Sequence, residues 1–265
     1  MMSALAHADA ASAPVIEVHG LRKDFRGFVA VCDVSLAFKG PGITAIIGPN
    51  GAGKTTFFNL LSGFLAPTRG RILYRGRDIC GLAPEQVASL GMVRSFQITS
   101  IFANLTVAEN LLLPMQRRDG NGTEFWRSPV SLERYAPEVD ALLVRVGIAR
   151  EWRERPAGAL PYGLKRALEL GISLAMNPDV LLLDEPTAGM AAKDIGMITE
   201  LIRGIARDRT VILVEHNLRV IANLAQEVVV MQQGAVLMTG SYDTVRRDAR
   251  VIEAYLGGQG PLGHA

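Results

Sequence analysis

The fold of this 265-residue chain is decided by one stretch, Gly42-Ile43-Thr44-Ala45-Ile46-Ile47-Gly48-Pro49-Asn50-Gly51-Ala52-Gly53-Lys54-Thr55. Its first six residues are a compact, β-branched run typical of a buried strand, and a helical pattern begins at Thr55. The part between matches G-x-x-x-x-G-K-[ST] without a mismatch, in the strand-to-helix context that this motif requires. The stretch therefore predicts a phosphate-binding loop rather than an ordinary glycine turn with a surface lysine.

The chemistry of this loop follows from its residue types. Glycines let backbone N–H groups curl around phosphate oxygens, and the N-terminus of the following helix adds a partial positive charge. Lys54 can reach the β- and γ-phosphates, and the Thr55 hydroxyl can ligate Mg²⁺. The predicted nucleotide-binding residues of the loop are Gly48, Pro49, Asn50, Gly51, Ala52, Gly53, Lys54, Thr55 and Thr56.

Three further apolar runs indicate strands that are buried on both faces, as in a parallel sheet covered by helices: Val180–Leu183, Val211–Val214 and Val228–Met231. Asp184 and Glu185 follow the first run. Asp184 suits a water-mediated contact with Mg²⁺, and Glu185 can act as a general base on a water that attacks the γ-phosphorus. The alternative for this pair is a solvated strand end. His216 follows the second run, and by itself such a histidine is most often only an exposed residue.

The remaining pattern predicts an α/β core interrupted by a helical insertion at roughly residues 98–171. The other expected strands are Val15–Val18, Val34–Phe38, Arg71–Tyr74 and Met92–Gln97. The expected helices are Thr55–Leu65, Val107–Met115, Ala136–Val146, Lys193–Arg207 and Leu218–Ala225, with a loop from Arg117 to Pro129.

Composition excludes several classes of protein. Hydrophobic residues make up 49% of the chain and charged residues 20%, which fits a globular chain and not a disordered one. A net charge of +2 is too balanced for binding nucleic acid mainly by counterion release. Two distant cysteines, Cys32 and Cys80, favour a reducing compartment. No apolar stretch reaches the about 18 residues of a spanning helix. Residues 1–14 are expected to be a loose tail and not a signal peptide, so we expect a soluble, cytosolic protein.

The order and spacing of the motifs resemble the ATP-binding subunits of ABC transporters from about Val15 to Gly257. The resemblance rests on the phosphate loop, Gln97 at the end of a predicted strand, the segment Leu160-Pro161-Tyr162-Gly163-Leu164-Lys165-Arg166, the Asp184-Glu185 pair and His216. More narrowly, the chain is similar to the ATPase subunits of branched-chain amino-acid importers. Three details carry this similarity: the stretch from Asp24 to Val31, the insertion through Trp126 and Ser128-Pro129, and the ending Val251–Gly257.

The resemblance implies a role for each matching residue. Phe25 is expected to stack on adenine, although a phenylalanine there could equally belong to the core. Gln97 is expected to contact Mg²⁺ or the lytic water and to link the site to the membrane partner, so the implied metal ligands are Thr55, Gln97 and Asp184. The implied catalytic residues are Glu185, His216 and Gln97, with His216 binding the γ-phosphate and positioning Glu185.

A second ATPase subunit is implied by the signature segment, Leu160, Pro161, Tyr162 and Gly163. In this family that segment caps the γ-phosphate bound to the opposite subunit, and a helix expected from Leu164 to Met176 points its N-terminus at the phosphate. The active unit would be a head-to-tail dimer that encloses two ATP molecules, with ATP and Mg²⁺ as cofactors. The second subunit would be identical or related.

The implied fold is α/β: a P-loop NTPase with an ABC-type ATPase core, a mostly parallel sheet, an N-terminal antiparallel β part and a helical subdomain. Residues 15–97 and 171–257 would form the discontinuous core, residues 98–170 the helical subdomain with the signature segment, and residues 1–14 a flexible tail. The implied partners are two membrane-spanning permease subunits and, in the complete system, a periplasmic solute-binding protein, with no nucleic acid. The protein would lie peripherally on the cytoplasmic face of the inner membrane.

The sequence departs from the superfamily pattern at two places. Pro161, Tyr162 and Leu164 replace the usual Ser, Gly and Gln of the signature. Pro161 removes a hydroxyl and a backbone N–H, and a donor to an anion contributes about 1.5–3 kcal/mol, so slower hydrolysis or looser dimerisation is expected. The loop Ala188-Gly189-Met190-Ala191 lacks the Leu-Asp pair that most relatives use for contact between subunits.

Other functions stay open at this point. Near relatives serve urea, amides, aromatic compounds or lipopolysaccharide export, and no residue here is expected to touch the solute. A soluble ABC-type ATPase without a membrane partner is a second possibility, which the absence of a second nucleotide domain, a coiled-coil insertion and a basic stripe disfavours. A P-loop kinase or GTPase is a third, disfavoured because the sequence has no N-K-x-D motif.

Overall fold

Two β-sheets organise the part of the chain that the structure, a computed structural model, describes: residues 13–95, 101–120 and 133–256. The strands are β1 (Ile16–Phe25), β2 (Phe28–Phe38), β3 (Gly42–Ile47), β4 (Arg69–Tyr74), β5 (Arg77–Asp78), β6 (Met92–Ser95), β7 (Val180–Asp184), β8 (Thr210–Val214), β9 (Glu227–Gln232) and β10 (Ala235–Gly240). The helices are α1 (Lys54–Leu61), α2 (Pro84–Ser89), α3 (Val107–Arg118), α4 (Ala136–Arg145), α5 (Tyr162–Ala175), α6 (Ala192–Ile205), α7 (Leu218–Leu224), α8 (Tyr242–Val245) and α9 (Ala249–Leu256).

The larger sheet has the strand order β10-β9-β3-β8-β7-β6. All of its neighbouring pairs are parallel except β9 and β10. In the register of these strands, Val214 lies opposite both Ile46 and Asp184. The carboxyl ends of β3, β7 and β8 therefore meet at one edge, which is where parallel sheets bind ligands.

Each face of this sheet packs into a separate hydrophobic cluster. Leu181 and Leu183 of β7 belong to one cluster, and Val180 and Leu182 belong to the other. The neighbouring strand β8 alternates in the same way, and every residue of β7 and β8 is buried. The prediction of strands buried on both faces is confirmed.

The smaller sheet is antiparallel, with the order β2-β1-β4-β5, and covers one face of the larger sheet. Its inward residues, such as Ile16 and Leu21, share a cluster with Phe57 and Phe58 of α1 and with Ile46 of β3. The expected N-terminal antiparallel part is therefore present. It places β2 beside the loop that follows β3.

On the other face, α3, α4 and α5 pack together, with Leu111, Leu143 and Leu168 in one cluster. Buried Asn110 holds the turn before α3, because its side chain accepts from the Phe102 N–H at 2.8 Å and donates to the Phe102 carbonyl at 3.1 Å. The predicted boundary between subdomain and core, at residue 170, falls inside α5. The division into these two parts stays a prediction.

Several predicted boundaries are wrong. The helix expected to reach Leu65 ends at Leu61, where the Ser62 hydroxyl donates back to the Phe58 carbonyl and Gly63 follows with a φ of 77°. The loop expected from Arg117 begins later, because α3 continues through Pro114 to two basic residues that suit a helix C-terminus.

Two further corrections concern where elements begin. The strand expected from Val34 begins at Phe28, and α5 begins at Tyr162 instead of Leu164. The strand expected over Met92–Gln97 is described as far as Ser95. The end of that strand and the insertion through Trp126 lie outside the described residues, and none of the described helices is long and apolar enough to cross a membrane.

Candidate active site

The loop between β3 and α1 passes so close to two other strands that it tolerates no side chain at two positions. A Cβ on Gly48, where φ is 152°, would lie 2.1 Å from the carbonyl oxygen of Met231. A Cβ on Gly53 would lie 2.4 Å from the carbonyl oxygen of Ala30. The glycines of the motif are therefore required by the packing of the loop against β9 and β2.

The N-terminus of α1 is open to an anion. Gly53 is its N-cap residue, in the left-handed conformation with a φ of 96°, and no side chain caps the helix. The first turn carries no acidic residue. The first N–H groups of a helix need partners from outside it, so this end of α1 fits phosphate oxygens.

Lys54 closes over the same loop. Its buried Nζ donates to the carbonyl oxygens of Gly48 at 2.7 Å and Pro49 at 3.0 Å. Burial lowers the pKa of Lys54, while the negative charges of Glu185 and Asp184 act to raise it. The ammonium group is thus within electrostatic reach of both carboxylates, and the loop and the end of β7 form one site.

Asp184 is buried at the end of β7 and pairs with Arg94 of β6. The Arg94 guanidinium donates to Asp184 Oδ2 at 2.6 Å, and the carboxylate side chain is only 3% exposed. Within the described residues, no three His, Cys, Asp or Glu side chains cluster in a way that could hold a metal ion. This donor set fits Mg²⁺ bound through the Thr55 hydroxyl, a carboxylate, water and phosphate oxygens, which is how that ion is usually held.

Glu185 and His216 come together above this edge. His216 Nε2 lies 2.9 Å from Glu185 Oε1, although the two residues follow different strands. Glu185 has a left-handed φ of 48°, which is unusual for a residue with a side chain, and its N–H donates to the Val214 carbonyl at 2.8 Å. The strained turn directs the carboxylate toward the loop that carries His216.

Beneath this pair lies Glu215, a residue that sequence analysis did not single out. Its carboxylate is buried and accepts hydrogen bonds from the Thr187 hydroxyl and from the N–H groups of His216 and Asn217. The signal was present in the sequence, since Glu215 directly follows an apolar run, as Asp184 does. Arg94 carried no such signal, because its role depends on the pairing of β6 with β7.

Phe25 is 41% exposed, so it is not a core residue. It lies at the tip of the β1–β2 hairpin, paired with Phe28, which is 64% exposed and was not singled out from the sequence. The Lys23 ammonium lies 5.2 Å from the centre of the Phe25 ring. Two exposed aromatic rings at one hairpin tip suit stacking on a flat base.

The signature segment forms the start of α5. Pro161 is the N-cap residue and provides no side-chain cap, while Leu160 is buried. A Cβ on Gly163 would lie 3.0 Å from Asp194 Cγ, so α6 packs closely against this turn. The Tyr162 hydroxyl donates to the Ala188 carbonyl at 3.1 Å, which joins the segment to the loop after Glu185.

The structure thus brings together the phosphate loop, Asp184, Glu185 and His216, and holds Tyr162 against the loop that follows Glu185. Gln97 lies outside the described residues, so its predicted role stays a prediction. The roles of the other residues are also predictions, which the geometry supports.

Comparison with known proteins defines the class. The family described as "ABC transporter" matches residues 31–188, and the family described as "Branched-chain amino acid ATP-binding cassette transporter" matches residues 235–260. The ADP conformation of an ATP-binding cassette of an ABC transporter has a similar structure, with a TM-score of 0.80 and 28% identity, covering 93% of this chain and 100% of that one. The chain is an ABC transporter ATPase.

Two curated relatives narrow the assignment. The high-affinity branched-chain amino acid transport ATP-binding protein LivG of Salmonella typhimurium is 37% identical over 253 residues, covering 93% of this chain and 99% of LivG. BraF of Pseudomonas aeruginosa, described in the same words, is 37% identical over 252 residues with the same coverage. The chain belongs to the LivG/BraF family of branched-chain amino acid transporter ATPases.

Proposed function

We propose that this chain hydrolyses ATP to energise an importer of branched-chain or related amino acids. The observation that carries the proposal is the contact between Glu185 and His216 at the sheet edge that also bears the phosphate loop and Asp184. LivG and BraF, which are branched-chain amino acid transport ATP-binding proteins, support the class of solute.

In this proposal the residues of the site divide the work of binding and hydrolysis. The loop Gly48–Thr56 and Lys54 hold the phosphates, and the rings of Phe25 and Phe28 stack on the adenine. Thr55, Asp184 and Gln97 would hold Mg²⁺, which would supply positive charge to neutralise the phosphates. Glu185 accepts a proton from the attacking water, and His216 fixes the Glu185 carboxylate and contacts the γ-phosphate.

The complete transporter would contain a second ATPase subunit. We infer a head-to-tail dimer in which the segment Leu160–Gly163 of one subunit meets the ATP of the other. Two membrane-spanning subunits and a periplasmic solute-binding protein complete the importer, and this chain lies on the cytoplasmic face of the inner membrane. Binding of ATP closes the dimer, and this closure moves the membrane-spanning subunits.

Glu185→Gln tests the assignment of the base. The amide keeps the shape of the side chain but cannot accept a proton, so ATP hydrolysis should fall at least about 100-fold, a typical contribution of a general base. The affinity for ATP should stay within about threefold, and a dimer that depends on ATP should accumulate in size-exclusion chromatography. The exposed Glu151→Gln is the matched control. Hydrolysis by Glu185→Gln at the wild-type rate would overturn the assignment.

The solute and the partners need a separate experiment. The tagged protein should be purified from gently solubilised native membranes, and the subunits that come with it identified. Two polytopic subunits whose complex shows ATPase activity stimulated by leucine and its binding protein would support the proposal. Stimulation by urea, amides or aromatic acids would assign another solute, and soluble partners alone would favour the ATPase that works without a membrane.

A further inference from the structure

A buried carboxylate connects the two loops that carry Glu185 and His216. Glu215 is 4% exposed and Thr187 is 5% exposed. The Thr187 hydroxyl donates to Glu215 Oε2 at 2.7 Å. The other oxygen, Oε1, accepts from the N–H of His216 at 2.8 Å and from the N–H of Asn217 at 3.0 Å.

The hydrogen bond between Thr187 and Glu215 connects the loop after β7 with the loop after β8, and we call this contact the tie. Thr187 follows Glu185 by two residues in the loop after β7, and Glu215 directly precedes His216 after β8. On the strand side, the Glu185 N–H donates to the Val214 carbonyl at 2.8 Å. The two loops are therefore joined by two hydrogen bonds, one from Glu185 to Val214 and one from Thr187 to Glu215.

The pair itself has no comparable support from packing. The His216 side chain is 47% exposed and that of Glu185 is 29% exposed. A side chain exposed to this degree keeps a fixed position only where its backbone is fixed. Glu215 supplies this, since it binds the N–H of His216 and that of the next residue.

Burial of the Glu215 carboxylate costs free energy, so a structural reason for the burial is expected. The three hydrogen-bond partners that the described residues give its carboxylate are all uncharged. A buried carboxylate without a cation is unfavourable unless hydrogen bonds satisfy it. An apolar residue at this position would avoid the cost, but it would leave the His216 backbone without the acceptor.

We propose that Glu215 is a positioning residue for hydrolysis: with Thr187 it sets the distance between the Glu185 carboxylate and the His216 ring. This inference rests on the proposed function, in which Glu185 and His216 act on ATP. Glu215 acts through its hydrogen bonds to Thr187 and to the backbone of His216 and Asn217, and is therefore not itself a catalytic residue.

Thr187→Val tests the tie by removing only the hydroxyl. A misplacement of about 1 Å in a reactive geometry costs on the order of 100-fold, so kcat for ATP hydrolysis should fall about 10- to 100-fold. The KM for ATP should change less than about twofold, because the phosphate loop is untouched. Thr187→Ser keeps the hydroxyl and should restore kcat to within about threefold of wild type. Thr199→Val is the matched control, since Thr199 is a buried threonine of α6 whose hydroxyl donates only to the Ile195 carbonyl.

Two substitutions at Glu215 separate geometry from charge. Glu215→Gln keeps an acceptor for both N–H groups, and its amide can donate to the Thr187 hydroxyl oxygen, so most of kcat should remain. Glu215→Ala removes the acceptors and should lower kcat at least about tenfold. Thermal unfolding of each variant, with and without ATP, shows whether it is folded.

The decisive measurement is made in the His216→Ala background. If the tie acts through His216, Thr187→Val should cause little further loss there, whereas independent effects would multiply. Multiplying losses, or a wild-type kcat for Thr187→Val, would overturn the inference. Wild-type hydrolysis by Glu185→Gln or His216→Ala would instead overturn the proposed function, so the two failures are distinguishable.

Discussion

Single residues of the phosphate loop are fixed by backbone atoms around them. A Cβ added at Gly48 would lie 2.1 Å from the carbonyl oxygen of Met231. The backbone of β9 cannot move away without disturbing the sheet. The φ of 152° at Gly48 is a second obstacle to a side chain. The match of the motif to the structure is therefore steric as well as chemical.

Gly48→Ala should weaken ATP binding at least about tenfold and lower the melting temperature, because Ala forces the loop away from β9. Gly196→Ala is the control. Gly196 lies in α6 with nothing within 4 Å of an added Cβ, so alanine should raise stability by about 0.4–1 kcal/mol and leave ATP binding unchanged. Nucleotide binding by calorimetry and thermal unfolding check both. Normal ATP affinity in Gly48→Ala would contradict the packing argument.

Single site residues could be predicted from the sequence where their chemistry requires a fixed local pattern of residues. The phosphate loop and the Asp184-Glu185 pair could be predicted because their spacing along the chain is itself the signal. Arg94 and Thr187 could not, since each acquires a role only through a partner far away in sequence, Asp184 or Glu215. Likewise, no sequence pattern could predict the distance between the side chains of Glu185 and His216.

Among the elements, α5 carries the largest departure from the superfamily. Its N-cap residue is Pro161, whose φ of −55° and ψ of 154° would also suit serine. Serine would add an N–H and a hydroxyl at the end of the helix that the proposal directs at the second ATP.

Pro161→Ser should therefore raise ATP turnover a few-fold in the assembled transporter. The melting temperature should change little, because the new cap contributes about 1 kcal/mol and the loss of proline rigidity offsets a similar amount. Pro156→Ser is the control, since Pro156 precedes a short helical turn, Ala157–Ala159, and has a similar backbone conformation, with a φ of −54° and a ψ of 131°. Turnover that stays unchanged in Pro161→Ser would show that this donor is not used.

The C-terminal helix α9 bears on the phosphate loop from the outside. Its residues Glu253 and Ala254 line a cavity of about 540 Å³ whose other wall includes residues 49–52. Tyr255 forms a hydrogen bond with the backbone of Gly48; burial raises the pKa of Tyr255 to about 12, and that bond acts to lower it. The helix therefore lies directly beside the predicted phosphate loop.

Tyr255→Phe should weaken ATP binding about two- to tenfold, the equivalent of one lost hydrogen bond. The substitution should also reduce the loss of folding stability that occurs at alkaline pH. A tyrosine whose folded pKa exceeds its unfolded value of about 10 contributes stability below pH 10 and loses it as the pH rises toward 12. Urea unfolding between pH 8 and 11 checks this, with Tyr242→Phe as the control. Equal pH profiles for wild type and Tyr255→Phe would contradict it.

The elements themselves were predicted better than their ends. Strands such as β7 and β8 are uniformly apolar because both faces are buried, and this leaves a clear pattern. Helix ends depend on single local contacts, such as the Ser62 hydroxyl on the Phe58 carbonyl, which end α1 four residues before the predicted Leu65. The elements α2, α8, α9, β5 and β10 were not predicted.

Over the whole molecule, the larger sheet contributes buried residues to both hydrophobic clusters. Leu183 is fully buried in the cluster between the sheet and the helices α3, α4 and α5. Truncation there leaves a cavity among side chains from several elements.

Leu183→Ala should lower the free energy of unfolding by about 2–5 kcal/mol, which corresponds to about 2–4 °C in melting temperature for each kcal/mol. Val144→Ala is the control, because Val144 is 80% exposed and should change stability by less than about 0.5 kcal/mol. Chemical unfolding of both variants measures the difference. A loss below 1 kcal/mol for Leu183→Ala would show that the cluster collapses around the gap.

The strand order has a consequence for how the chain is made. β3 is an interior strand whose neighbours, β8 and β9, come from the last quarter of the sequence. Gly42 of β3 therefore cannot pair with Thr210 of β8 until most of the chain has been synthesised. While the ribosome synthesises the helices between them, β3 has two open edges, and such edges invite pairing with other chains. The antiparallel sheet is complete much earlier and already covers one face of β3. During synthesis it can cover that face of the strand before the phosphate loop, while both edges of β3 stay open until β8 and β9 emerge.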